Sequence, residues 1–506
     1  MRTRILAVVA AALIQAGCGS SVDPNNPEKG TALTVDKAAD DGTEGTLRWA
    51  ILKSNADPGK YKIVLTPPAG GTLVIRPTSL LPAIVGPARI EGPWTGSATP
   101  TVAVDGSPLL DLTVLQGPGM PAACPGEVAG QFGPNTRSLR NAGLQVTDSR
   151  DVEITGFEVR NFCTGILSLR SHDNFIHQMR LVDNLGAAGI LVTGDDGSAA
   201  GGSAGNSSHN VLERNVFVNN PDGLDIARGS SGTIVRFNSF SVDAHHTASS
   251  GIEILSSDNA VIEDNTLDGY ATALQLGGDG HVFNRNTLTN NAIAIQMGGT
   301  GYKLAANVVR GNRTGVMQVA GGTRLNTLSE NLIYGNGLDI DRCGPLNGAN
   351  TIPDSGVCAT KEWMTSRINM GLNGFSGSIP NDEAGACADH FPDCSLPQNY
   401  PVLAGSSWQS TGFVVSGTLS SRPSQKFTIE VFASHTDGID GLGEGEVSLG
   451  KVEITSDANG AAAFSLRTST DPLKDGGKNV YFTATATRAS NGQTSEFSRP
   501  QRVTRP

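Results

Sequence analysis

The chain has 506 residues, a formal net charge of −11, 63 glycines and only 5% aromatic residues. Its length allows two or three domains, and many glycines with few large core side chains suit a thin coil with tight turns. The acidic balance excludes a nucleic-acid partner, which needs clustered Lys and Arg, and disfavours docking on an anionic polysaccharide unless a cation bridges the two.

Arg2 and Arg4 precede an apolar run from Ile5 to Ile14. That pattern reads as an export signal, too short for a permanent membrane span. The run ends in Gln15-Ala16-Gly17-Cys18-Gly19. This end resembles a bacterial lipoprotein processing site, which implies lipidation of Cys18 and a membrane association through that anchor alone. Gln15 departs from the Leu usual there. Gly19 after the cysteine is compatible with sorting to an outer membrane, so an outer-membrane lipoprotein, or a cell-surface or secreted protein, is expected. Residues 1–18 are thus read as signal and 19–30 as a flexible tether.

Residues 31–120 are expected to hold an N-terminal cap and the first rungs of a coil. Ala32-Leu33-Thr34-Val35 opens as a strand. In Gly45-Thr46-Leu47-Arg48-Trp49-Ala50-Ile51, Thr46 is a helix N-cap and Leu47, Ala50 and Ile51 form one apolar face. A short amphipathic helix here would hide the unpaired edge of the coil.

Residues 121–345 are expected to form the coil. From Asn141 to Asp341 a small residue, an apolar residue, any residue and usually another apolar one recur. The first apolar positions are 144, 166, 190, 224, 252, 274, 295, 316 and 338. Steps this short mean stacked units that cannot bury their apolar faces alone. Each unit has room for about three short strands. A second motif, such as Val261-Ile262-Glu263-Asp264-Asn265-Thr266-Leu267, places asparagines at Asn215, Asn238, Asn265, Asn286, Asn307 and Asn331. Equivalent positions on stacked strands lie about 4.8 Å apart, close enough for an internal asparagine ladder. Asparagine also tolerates the left-handed backbone of a sharp corner.

Besides Cys18, the chain carries Cys124, Cys163, Cys343, Cys358, Cys387 and Cys394. An even number in an exported chain suggests disulfides, and six allow about 15 pairings. Proximity favours Cys343–Cys358 and Cys387–Cys394, leaving Cys124–Cys163. None has zinc spacing, and no metal site is assigned. Residues 346–401 are read as a disulfide-stapled cap and linker. Residues 402–506, with alternating strands at 412–419, 426–432, 447–454, 461–466 and 479–487, are read as a β-sandwich.

Gly45-Thr46-Leu47-Arg48-Trp49-Ala50-Ile51, with Asn55, Pro58-Gly59 and Ile63, resembles the N-terminal module of bacterial exported β-helix proteins of the CSLREA type. Trp49 stands where that family usually has an acid. Asn336–Asp341, Pro380-Asn381-Asp382 and Pro397–Leu403 are similar to that family's junction, and Gly443–Gly450 with Thr483–Thr487 and Thr494–Ser498 to its terminal module. The junction's spaced Asp run implies a Ca²⁺ site, but here Cys387, His390 and Cys394 break it up. The fold class is therefore all-β: a right-handed parallel β-helix with an N-terminal capping helix, followed by a C-terminal β-sandwich.

In the small-apolar-x-apolar strand the middle residue points outward. Asp225, Glu253, Gln275 and Gln296 then form a polar stripe down one outer sheet. Asp225 and Glu253 sit on neighbouring rungs, so their carboxylates can split into acid and base or share a cation. The longest steps flank Asp225 and carry Asp195, Asp196, Asp243, His245 and His246; such insertions are placed to wall a groove. Asn220-Pro221-Asp222-Gly223-Leu224-Asp225 faintly resembles the first acidic motif of polygalacturonases, whose other motifs are missing from the following rungs.

The reading favoured by these residues is a lipid-anchored envelope protein, monomeric and without a cofactor, that binds carbohydrate. Arg228, His245, His246, Gln275 and Gln296 would line its groove. The rival readings are a polysaccharide lyase or glycoside hydrolase using Asp222, Asp225 and Glu253, and a structural envelope protein.

Overall fold

The computed structural model describes residues 30–504 apart from 97, 110–114, 118–119, 122–141, 186–187, 196–204, 244–248, 319–324, 339–369, 372–397, 410–411 and 470–478. Cys18 and five of the other six cysteines, His245 and His246, and almost all of the 346–401 linker lie outside the described residues. Cys163 is disulfide-bonded.

Three parallel sheets form a right-handed β-helix. Among the described residues they contain eleven, ten and nine strands. In the eleven-stranded sheet Val211–Glu213 pairs with Ile234–Arg236, which pairs with Val261–Glu263 and then Val282–Asn284. In the nine-stranded sheet the strands Ala188–Thr193, Asp222–Ala227, Ser250–Leu255, Thr272–Leu276 and Ile293–Met297 lie in that order. Their apolar positions face one core, where Leu224, Ile226, Ile252, Ile254, Phe217 and Phe240 are buried. The Phe217 and Phe240 rings stack with centroids 4.3 Å apart.

The small residue that opens each unit follows from this stacking. A Cβ on Gly223 would stand 2.5 Å from the Gly251 carbonyl oxygen and 2.5 Å from Phe240 Cδ1.

Asn215, Asn238, Asn265, Asn286, Asn307 and Asn331 form a continuous buried column. Each Oδ1 from Asn238 onward accepts the backbone N–H and the Nδ2–H of the preceding asparagine. The left-handed backbone is not on these asparagines. It falls one residue earlier, on Arg214, Phe237, Asp264, Arg285, Ala306 and Glu330, with φ between 54° and 60°. The asparagine therefore bridges rungs, and its predecessor makes the corner. A second column runs Asn291, Asn312, Asn336, with Asn184 and Asn220 bonded alike on earlier rungs.

Helix Leu47–Ala56 packs at the amino-terminal end of the coil. Thr46 caps it, accepting the Trp49 N–H at 3.3 Å, and Leu47, Ala50, Ile51 and Ser54 are buried. Arg48 grips Asp40 through two hydrogen bonds of 2.8 Å and donates to the Ser79 and Leu80 carbonyls. Asn55 spans Ala83 and Val85 by their backbone groups.

The carboxy-terminal region is a sandwich of a three-stranded and a four-stranded antiparallel sheet. Its core includes Phe413, Phe427, Ile429, Val431, Phe464 and Phe482. Strands Val402–Gln409 and Gln501–Thr504 add to those read from the sequence. The sandwich closes the other end of the coil. Ile333 pairs with Gly445, Glu430 accepts the Glu330 N–H, Glu444 accepts the Gly335 N–H, and Phe432 and Phe497 join the coil's core.

Candidate functional site

The outer face of the nine-stranded sheet is built by strict register. Leu191 pairs with Asp225, Asp225 with Glu253, Glu253 with Gln275, and Gln275 with Gln296. The flanking residues of each strand enter the core, so this column points out of the coil. Parallel pairing puts the Asp225 and Glu253 backbones about 4.8 Å apart.

These side chains are outside the coil but not solvated. Asp225 is 6% exposed and Glu253 2% exposed. Leu167, Leu191, Leu169, Ala142, Ala188 and Ala227 make a separate apolar cluster on the same face. Met317 is buried at the opposite end of the column. The polar residues therefore lie between two apolar stretches, where charge–charge interactions are stronger than in water.

A hydrogen-bonded chain links the carboxylates to a second column. Gln275 Nε2 donates to Glu253 Oε1 at 2.5 Å, and Ser250 Oγ donates to Gln275 Oε1 at 3.3 Å. The Ser250 N–H donates to Asp222 Oδ1 at 2.9 Å. Asp222, Ser250, Glu253 and Gln275 thus belong to one network, with Asp225 beside it. Ser250 is a site residue that the sequence reading passed over. Its place two residues before the core Ile252, matching Asp222 before Leu224, was the available signal. Gln296 extends the column, and its Oε1 is buried without a hydrogen-bond partner among the described residues.

Arg228 belongs to the turn after the strand and not to the column itself. It lies on the corner after strand Asp222–Ala227, with φ 21°, and its guanidinium pairs with Asp195 Oδ2. The Asp195 side chain is 2% exposed, whereas that of Arg228 is 42% exposed. The ion pair ties the start of one long insertion to the rim. Asp243 is fixed to Asn219 by two hydrogen bonds.

Two carboxylic groups this close can divide into one proton donor and one acceptor, because ionising both is disfavoured. The arrangement is suited to moving a proton onto and off one small polar ligand.

The architecture places the chain in a definite class: right-handed parallel β-helix proteins closed by a terminal β-sandwich. A family model described as "Periplasmic copper-binding protein (NosD)" matches residues 196–352. Along most of its length the chain is similar to the 3-dehydroshikimate dehydratase of Acinetobacter baylyi (strain ATCC 33305 / BD413 / ADP1). The two are 32% identical over 442 residues, which is 85% of this chain and 88% of that protein. The chain belongs to the family of that dehydratase. Among solved structures, the periplasmic alginate epimerase AlgG is similar at 15% identity and TM-score 0.31, over 54% of this chain and 68% of that one. The A-module of the Azotobacter vinelandii mannuronan C-5 epimerase AlgE4 is similar at 14% identity and TM-score 0.31, over 60% of this chain and 94% of that one.

The copper named in the family description finds no matching donors among the described residues. No group of three His, Cys, Asp or Glu side chains is placed to hold a metal ion there. The outer-face groups are carboxylate, amide and hydroxyl oxygens, whereas copper sites draw on imidazole and sulfur. The broken Asp run considered for Ca²⁺ lies outside the described residues.

Proposed function

We propose that this chain is an exported dehydratase that removes water from 3-dehydroshikimate, or a close hydroxylated cyclic keto acid, on the outer face of the nine-stranded sheet. One observation carries the reading: two buried carboxylates lie in register outside the coil, in a chain related along most of its length to a dehydratase. The chemistry suits such a pair. The substrate is a ring ketone with a hydroxyl on the β carbon. A carboxylate takes the proton from the α carbon, and the electron pair forms the new C=C bond. The β C–O bond breaks, and the leaving hydroxyl takes a proton from the other carboxyl group to depart as water. Loss of a ring proton to the ketone oxygen then gives the aromatic catechol acid. Asp225 and Glu253 are assigned as that pair, with Gln275 orienting Glu253. Arg228 at the rim is assigned to the substrate carboxylate, since a guanidinium has donors left beyond one ion pair.

Export follows from the basic and apolar N-terminus, with Cys18 as the anchor point, and the family description naming a periplasmic protein supports it.

The test incubates the purified mature chain with 3-dehydroshikimate and follows the ultraviolet absorbance of the aromatic product. Turnover is expected, with roughly 10²–10⁴-fold loss in Asp225→Asn and in Glu253→Gln, the usual scale for a general acid or base. No turnover sinks the dehydratase reading. A second reading, carbohydrate recognition without chemistry, uses the same stripe. It gains ground if an inactive wild type binds a polysaccharide and the two variants weaken that binding.

A further inference from the structure

Ser250 joins two outward columns of the nine-stranded sheet, and it does so with different atoms. Its backbone N–H donates to Asp222 Oδ1 at 2.9 Å, and its hydroxyl donates to Gln275 Oε1 at 3.3 Å. The residue is fully buried. Stacking alone does not ask for a hydroxyl at this point of the strand. The residues paired in register along the same column include Ala188 beside Asp222 and Ile293 beside Thr272.

An amide can turn either end toward a carboxylate, but only its nitrogen end donates. Gln275 turns Nε2 to Glu253 Oε1, at 2.5 Å, and so presents Oε1 to Ser250. In the reverse orientation Oε1 would meet the oxygen of an ionised Glu253, acceptor against acceptor. The Ser250 hydroxyl gives Oε1 a donor in the orientation observed. Alanine would remove that bond and leave a buried network short of one donor.

We propose that Ser250 is a positioning residue that acts through Gln275. It holds the amide donor on Glu253, and a donor to a carboxylate favours the charged form. Glu253 is then the base of the dehydration. Asp225, set beside it by register, keeps the proton that two adjacent carboxylates share and is the acid. This division of roles rests on the dehydratase reading, whereas the coupling of Ser250 to Glu253 stands apart from it. The preceding strand brings the titratable groups Asp222 and Asp225 to this network, and the following strand, Thr272–Leu276, brings none.

The test compares Ser250→Ala and Ser250→Thr in the full mature chain. The Asp222 contact is made by the backbone and is kept in both. In Ser250→Ala the acid limb of kcat/KM for 3-dehydroshikimate should move to higher pH by about half a unit or more, because a less firmly held donor lets Glu253 bind a proton more readily. Ser250→Thr keeps the hydroxyl and should return the limb to its wild-type position. The column accommodates threonine, since Thr272 pairs with Ser250 on the next rung. An unmoved limb in the alanine variant, or an equal shift in both variants, overturns the proposal. If the wild type does not turn over 3-dehydroshikimate, the dehydratase reading fails by itself and the coupling is read from stability. The gap in unfolding midpoint between wild type and Ser250→Ala should widen as pH rises through the carboxylate range, because a raised folded-state pKa of Glu253 subtracts stability only where the group ionises. In a Glu253→Gln background the same gap should not depend on pH. A gap with the same pH dependence in both backgrounds sinks the Ser250 assignment.

Discussion

Asn286 offers the sharpest test of how the coil is held together. Its Oδ1 accepts from the Asn265 N–H and from Asn265 Nδ2, each at 3.0 Å, and its Nδ2 donates to the Ile262 carbonyl at 2.9 Å and to Asn307 Oδ1 at 3.0 Å. Asn286→Ala removes all of these and leaves four buried polar groups short of a partner. With a net value of about 1 kcal/mol per bond, and more for a backbone group left unpaired, the expected loss is roughly 3–5 kcal/mol. A half-buried asparagine outside the ladder gives the baseline. Asn284, whose strand alternates partly exposed and buried positions, is expected to cost within about 0.5 kcal/mol as alanine. Solenoids can unfold rung by rung, so a single midpoint is not enough. Urea denaturation should be paired with hydrogen exchange of the Asn265 amide, which loses its acceptor and ought to lose protection first. A loss under about 1 kcal/mol, or equal to that of Asn284→Ala, would refute the ladder as a source of stability and leave it a by-product of packing.

Two further outcomes follow from the corners and the closed end. Ala306 holds φ 54°, a conformation that a side chain with a Cβ resists by about 1–2 kcal/mol. Ala306→Gly should raise the urea midpoint by about 0.5–1 kcal/mol after its extra unfolded-state entropy, and a lowered midpoint would count against it. At the sandwich junction, burial raises the Glu430 and Glu444 carboxyls above their ordinary values despite the backbone N–H groups they accept. A raised folded-state pKa contributes stability that is complete below the unfolded carboxylate value and is lost as pH rises through the folded one. The junction should therefore loosen from acid toward neutrality, and Glu430→Gln should flatten that dependence while keeping an acceptor for Glu330. Identical pH slopes of the unfolding midpoint in wild type and variant would show that the buried charge does not matter there.

The solenoid was legible because every rung imposes the same demands. Gly223 must be small to let Gly251 approach, and Leu224 and Ile226 must enter the core, so the pattern repeats in the sequence. The second asparagine column was also written there, at Asn291, Asn312 and Asn336, but uneven steps upstream hide its continuation to Asn220 and Asn184. The left-handed corner residues were not legible. Arg214, Phe237 and Glu330 share no side-chain property, because the requirement falls on the backbone alone. At the site, counting rungs was enough to set Asp225 beside Glu253. Their burial was not readable from the period of the repeat, and neither was the Ser250–Gln275–Glu253 chain, which crosses between columns.

The same physics narrows where this chain can act. The coil interior is taken up by stacked rings such as Phe217 and Phe240 and by asparagine columns bonded from rung to rung. Its two ends are covered, one by helix Leu47–Ala56 and the other by the sandwich. Function is left to the outer faces. On the eleven-stranded sheet the outward charges neutralise one another across rungs, as in Arg89 with Glu153 and Arg236 with Glu213. The nine-stranded sheet departs from that rule. Its outward column runs from Gln145 to Leu167 and Leu191, apolar side chains that a covered face accommodates without penalty, and then sets two acidic residues side by side in the same covered column. Leucine would have continued the column at lower cost in desolvation. A fold selected only for stacking has no use for the acids; the dehydration proposed above gives them one.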